Sequence, residues 1–144
     1  MKALTLIEKA FFLKKTELFA ELDLDLVLAI ADKAELRTFS QSEVIFSINQ
    51  EAHRLYVILN GHVLIEDEEE QLLVTLFPGD FFGDESLFNQ RPRGYLAKAD
   101  QEGKTLLLTV SRTHLTEIIL ECPQVALAII RAYAAVTTFR RRPA

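Results

Sequence analysis

Arg54-Leu55-Tyr56-Val57-Ile58-Leu59-Asn60-Gly61-His62-Val63-Leu64-Ile65-Glu66 sets two short apolar runs on either side of an Asn-Gly pair. Both runs are rich in β-branched and other large apolar residues that fit a pleated, half-buried surface. Asn and Gly enter left-handed backbone conformations at little cost, so Asn60-Gly61 predicts a hairpin between strands 54–59 and 62–66. Outward from this pair the period of two continues, over 35–39 and 43–47 before it and over 71–77, 95–100 and 104–110 after it. Pro78-Gly79-Asp80 marks a further sharp turn. Many short antiparallel strands in succession imply a barrel or jelly roll, closed so that few edges stay open to solvent.

At both ends the period changes to that of a helix. Leu4, Ile7 and Phe11 fall on one helical face, with Leu6, Ala10 and Leu13 beside them, and Leu24, Val27, Leu28 and Ala31 repeat the pattern over 23–34. Between them, residues 17–22 read as a connecting turn that buries Leu18 and Phe19. After the strands, Ser111 is a good N-cap for a helix over 112–121, and Pro123 suits the first turn of another that runs to about 139. From Val125 to Val136 that last helix is apolar nearly all round, so it is either buried or meets a partner. The expected fold is mainly β with flanking α: an antiparallel β-roll (double-stranded β-helix, jelly-roll-like) over 35–110, between N-terminal helices in 1–34 and two C-terminal helices in 111–140. All of it reads as one domain, 1–144.

Composition narrows the function. The 144 residues carry 16 Lys+Arg against 21 Asp+Glu, a formal net charge of -5, and 49% are apolar. That much apolar surface excludes a disordered chain. A pI near 5.2 argues against a nucleic-acid binder, which replaces phosphate counterions with positive charge. The lone Cys122 allows no internal disulfide and fits a reducing compartment. Glu8 and Lys9 interrupt any signal-peptide core, and the longest apolar run, 125–130, is far too short to span a bilayer, so a cytoplasmic location away from membranes is expected. His53, His62 and His114 lack the His-x-His spacing of β-roll metal enzymes, and no Ser or Cys stands in a nucleophile motif, so neither a metal site nor catalysis is expected. The acidic run 66–70 reads as a solvated strand-turn tip, and Arg140-Arg141-Arg142 as cations favoured at a helix C-terminus.

One stretch breaks the strand rhythm: Phe81-Phe82-Gly83-Asp84-Glu85-Ser86-Leu87-Phe88-Asn89-Gln90-Arg91-Pro92-Arg93-Gly94-Tyr95. Free N–H groups at a helical turn after glycine attract anions, and Arg93 can add a two-pronged contact to a phosphate. An acid beside them accepts hydrogen bonds from hydroxyls. Together they describe a pocket for a sugar phosphate of single negative charge.

The segment resembles the phosphate-binding cassette of cyclic-nucleotide-binding domains, here over 82–96. The family pattern F-G-E-x-A/S-L, four residues, then P-R is met by Phe82-Gly83-Asp84-Glu85-Ser86-Leu87 and Pro92-Arg93 without a gap. Leu18-Phe19, Glu43-Val44-Ile45-Phe46, Leu55 to Gly61 and Pro78 to Gly83 also sit where the family places its own. The resemblance implies that Arg93 pairs with the cyclic phosphate, helped by N–H groups of Ser86 and Gly94. It implies that Asp84 accepts from the ribose 2′-hydroxyl and that Gly83 lets the backbone approach the sugar, so that the ligand-binding residues are Gly83, Asp84, Glu85, Ser86, Arg93, Gly94 and Tyr95. Ile130, Tyr133 and Thr137 are the candidate lid residues of the last helix. Three departures stand out: Asp84 is one methylene shorter than the family's glutamate, Tyr95 replaces a small residue, and neither Tyr95 nor Leu96 supplies the hydroxyl that favours guanine. The resemblance therefore implies a regulatory sensor of cAMP ahead of cGMP, with no cofactor, whose terminal helices shift on binding. Its last helix would serve a homodimer or a protein partner. The alternative is a degenerate domain of the same fold that binds no nucleotide and serves in assembly; Asp84 and Tyr95 favour it.

Overall fold

The computed structural model describes the backbone of residues 3–140 and the side chains of residues 3–135. Thr137 and the Arg140–Arg142 run, read above as a lid residue and a helix-end cation cluster, have side chains outside the described residues. The chain opens with α1 (Leu6–Lys15) and α2 (Leu24–Lys33). Eight strands follow among the described residues: β1 (Glu35–Phe39), β2 (Val44–Phe46), β3 (Arg54–Asn60), β4 (Val63–Glu66), β5 (Leu72–Leu76), β6 (Phe81–Phe82), β7 (Leu96–Ala99) and β8 (Thr105–Ser111). The short α3 (Asp84–Asn89) lies between β6 and β7, and α4 (Arg112–Glu121) and α5 (Gln124–Arg140) close the chain.

Two antiparallel sheets of four strands face each other, ordered β1-β8-β3-β6 and β2-β7-β4-β5. The fold class read from the sequence is thus the observed one, but the Asn60-Gly61 hairpin is not. β3 pairs with β6 and β8, whereas β4 pairs with β5 and β7, so the turn carries the chain from one sheet to the other. The local chemistry holds: Gly61 is left-handed at φ +84°, and a Cβ there would meet Thr105 Oγ1 at 2.8 Å. Turn chemistry fixes where the chain bends, not which strand it then meets.

β3 and β8 are buried on both faces. Leu55, Val57, Leu108 and Val110 pack under the helices with Leu13, Phe19, Ile30, Leu115 and Val125. Tyr56, Ile58 and Leu107 point the other way, into the roll, with Phe46, Val63, Ile65, Phe82 and Ala97. In α1 the buried face is Ala10 and Leu13, not the Leu4–Ile7–Phe11 face read from the spacing, and Ile7 is 75% exposed. Thr5 and Glu8 form a capping box at the start of α1, and Ser111 accepts the His114 N–H at the start of α4. The acidic run is split: Asp67 caps the β4–β5 turn by accepting from the Glu69 and Gln71 N–H groups, while Glu66 is buried against Lys98 at 2.7 Å.

Candidate functional site

The chain enters the cassette through β6, a two-residue strand with no signal in the periodicity, and then turns at Gly83. Gly83 is left-handed at φ +79°, and a Cβ on it would meet Arg93 Nη1 at 2.9 Å and Tyr56 Cδ2 at 3.2 Å. Only glycine satisfies both the backbone and the space. Asp84, Ser86 and Leu87 are the buried residues of the six-residue α3, and Gln90 ends it in a second left-handed conformation.

Arg93 is 2% exposed, and its guanidinium lies 4.2 Å from the Phe46 ring centroid, inside the roll. It pairs with neither Asp84 nor Glu85. Nη1 donates to the Gly83 carbonyl and Nη2 to the Arg54 carbonyl at 2.6 Å, while the buried Nε has no partner. Its backbone is clamped as well: the Arg93 N–H donates to the Gln50 carbonyl at 2.8 Å, and its carbonyl accepts the Asn49 N–H at 2.7 Å. Burial pulls the guanidinium below its ordinary range, though not far enough to discharge an arginine. A buried cation with a bare N–H is unusual, since such donors are nearly always satisfied.

A cavity of about 810 Å³ opens beside the cassette, between β4, β5 and α5. Ile65, Val74, Leu76 and Phe82 form an apolar wall; Asp84, Glu85, Tyr95 and Tyr133 form a hydrogen-bonding edge. Burial pushes the Asp84 carboxyl from 3.8 to about 6, with the Glu85 charge adding to the rise and the Tyr133 hydrogen bond opposing it. Tyr133, on α5, donates its hydroxyl to Asp84 Oδ2 at 2.5 Å and sets its ring edge-on to Phe88. Burial and the Asp84 carboxylate raise the Tyr133 hydroxyl well above the usual phenol range. Tyr95 turns into the roll against Phe46, and its hydroxyl accepts the Gly83 N–H at 2.9 Å. Burial and the charge of Glu85 raise that hydroxyl in the same way.

The residues singled out in the sequence therefore divide. Asp84, Glu85 and Tyr95 line the cavity, Gly83 joins them through Tyr95, and Arg93 lies beneath Gly83. Ser86, whose hydroxyl reaches the Pro92 carbonyl at 3.3 Å, and the exposed Gly94 do not line it. Of the lid candidates, Tyr133 touches the cassette while Ile130 is 62% exposed. Phe46 beneath the guanidinium and the 49–54 segment around it were not foreseen, because a stacking ring and a carbonyl leave no motif. An apolar wall facing a polar edge suits a ligand with a flat ring at one end and hydroxyls at the other. Among the described residues, no three His, Cys, Asp or Glu side chains converge to hold a metal ion.

The family model "Cyclic nucleotide-binding domain" matches residues 36–122. The chain is 25% identical over 126 residues to a CRP-like cAMP-activated global transcriptional regulator of Mycobacterium tuberculosis, covering 85% of this chain and 55% of that protein. It is 26% identical over 114 residues to a cAMP-dependent protein kinase regulatory subunit of Mycosarcoma maydis, covering 75% of this chain and 22% of the relative. The chain thus spans about half the length of the first relative and less of the second. Among solved structures, the N-terminal domain of a transcriptional regulator from Streptomyces coelicolor A3(2) superposes with a TM-score of 0.77 at 25% identity, over 90% of this chain and 94% of that one.

Proposed function

The chain belongs to the cyclic nucleotide-binding domain family, and from that premise we propose that it is a regulatory sensor of a cyclic nucleotide, cAMP ahead of cGMP, with no catalysis of its own. The observation that carries this reading is the bond between Asp84 on the cassette and Tyr133 on α5, at the mouth of the cavity. A ribose hydroxyl is the same kind of donor as the Tyr133 phenol. By taking Asp84, it would free Tyr133 and so report occupancy to the last helix. A desolvated carboxylate in a cleft is a common mark of function. The purine would lie along Ile65, Val74 and Leu76, and the bare Nε–H of Arg93 would serve the phosphate. Binding shifts α5 only if the nucleotide prefers the state in which Tyr133 is released. The output passes through α5 to a second copy or to another protein, in the cytoplasm. No single helix among the described residues is long and apolar enough to cross a membrane.

A specific observation favours the alternative, a non-binding scaffold of the same fold. The Gly83 N–H is already taken by Tyr95, and Arg93 is committed to main-chain carbonyls. Thermal unfolding with cAMP decides between them. The sensor predicts a rise in Tm for the native chain that is lost in Arg93→Lys, with circular dichroism showing both folded. No rise in the native chain, or an equal rise in both proteins, contradicts it.

A further inference from the structure

Between the exit of α3, the 51–53 segment and the start of α4 lies a smaller cleft of about 280 Å³, lined by Glu51, Ala52, His53, Gln90, Arg91, Pro92 and Arg112. It shares no lining residue with the larger cavity. Its charge is opposite to that of a chain whose net charge is -5. Arg91, at the exit of α3, and Arg112, the first residue of α4, have no carboxylate partner among the described residues. The one acid in the lining, Glu51, is turned to His53 at 3.3 Å. Arg112 is half-buried, and its N–H donates to the His53 carbonyl at 2.9 Å, so the loop and the helix start are tied together. The positive end of the α4 dipole adds to the same field.

We propose that this cleft is a second ligand site, for a small dianionic phosphoryl compound. Two arginines lining one cleft suit a tetrahedral oxyanion, because each guanidinium can donate two parallel N–H bonds to its oxygens. Two arginines balance the two charges of a phosphate monoester at neutral pH. The site also reaches Arg93. Its walls, 51–53 and 90–92, run directly into the residues that clamp the Arg93 backbone, Gln50 and Asn49, and into Arg54, whose carbonyl holds the guanidinium. A phosphoryl group bridging Arg91 and Arg112 ties that clamp to α4. None of this depends on what the larger cavity binds.

The test is a titration of the full chain with inorganic phosphate at about pH 8, where phosphate is dianionic, with ionic strength held constant by chloride. Backbone amide and arginine Nε–H signals are followed by NMR. Saturable shifts at Arg91, Arg112 and the Arg93 amide are expected. Arg91→Gln or Arg112→Gln alone should weaken binding about tenfold, the loss of one charge-assisted contact, and the double variant should abolish it. Arg37→Gln, an equal charge change on the exposed β1, should leave it intact. Three results would overturn the proposal: shifts spread over all basic residues, shifts centred on Gly83 and Tyr95, or an equal loss in Arg37→Gln.

Discussion

On one side of β3, Leu55 and Val57 join an apolar cluster with Leu13, Phe19, Leu108, Leu115 and Val125. On the other, Tyr56 and Ile58 share the roll with a buried arginine, and a buried carboxylate sits at its mouth. The helix side gains from every methylene it hides, whereas the roll side keeps two charges that apolar residues of similar volume would replace at lower cost. Such an excess is retained where polar groups must meet something else, and here both lie at the cassette.

The largest effect that sharpens this contrast is expected on the helix side. Leu55→Ala removes a fully buried side chain and should lose about 3 kcal/mol in denaturant unfolding. The opposite sign is expected on the roll side. Asp84 has a folded pKa of about 6 against 3.8 unfolded, so the folded state holds the extra proton between these values. Its stabilising effect is present below the lower value and is lost as pH rises through about 6. Asp84→Asn keeps an acceptor for Tyr133 without the charge. It should gain about 2 kcal/mol at neutral pH and flatten the stability profile between pH 4 and 6. The same variant should bind cAMP less well. A variant that is stabilised and also binds undiminished would break the contrast.

A smaller change separates the link between cassette and helix from simple packing. Tyr133→Phe keeps the ring against Phe88 but frees Asp84, and should cost about 1 kcal/mol in the ligand-free protein. If the ribose displaces Tyr133, cAMP binding should tighten about fivefold for the same reason. Weaker binding would mean that Tyr133 holds the ligand instead of competing with it. The smallest effect is expected outside both interiors: Glu68→Gln, at the exposed β4–β5 turn, should change stability by less than about 0.5 kcal/mol.

Much of this was legible in the residues themselves. β1 spans Glu35–Phe39 and α4 spans Arg112–Glu121, as periodicity and the Ser111 cap predict, and the cassette announces itself through Gly83 and Pro92-Arg93. What failed depended on partners distant in sequence. Asn60-Gly61 turns as its residues require but joins two sheets. α1 buries Ala10, a small residue that a search for large apolar side chains passes over, on the side where α1 and α2 pack together with the rest of the core. At the site, the acids, glycines and arginine were visible as a pattern. The inward turn of Arg93 onto Phe46 and the choice of Tyr133 over Ile130 were not, since both depend on where β2 and α5 come to rest.

The central claim is that this cavity holds a cyclic nucleotide. It is met most directly by calorimetric titration of the full chain, shown folded and free of ligand, with cAMP and with cGMP for comparison. The account predicts saturable heat at one nucleotide per chain, with cAMP the tighter ligand. No heat with either nucleotide would contradict it and leave a scaffold whose cassette is filled by its own tyrosines.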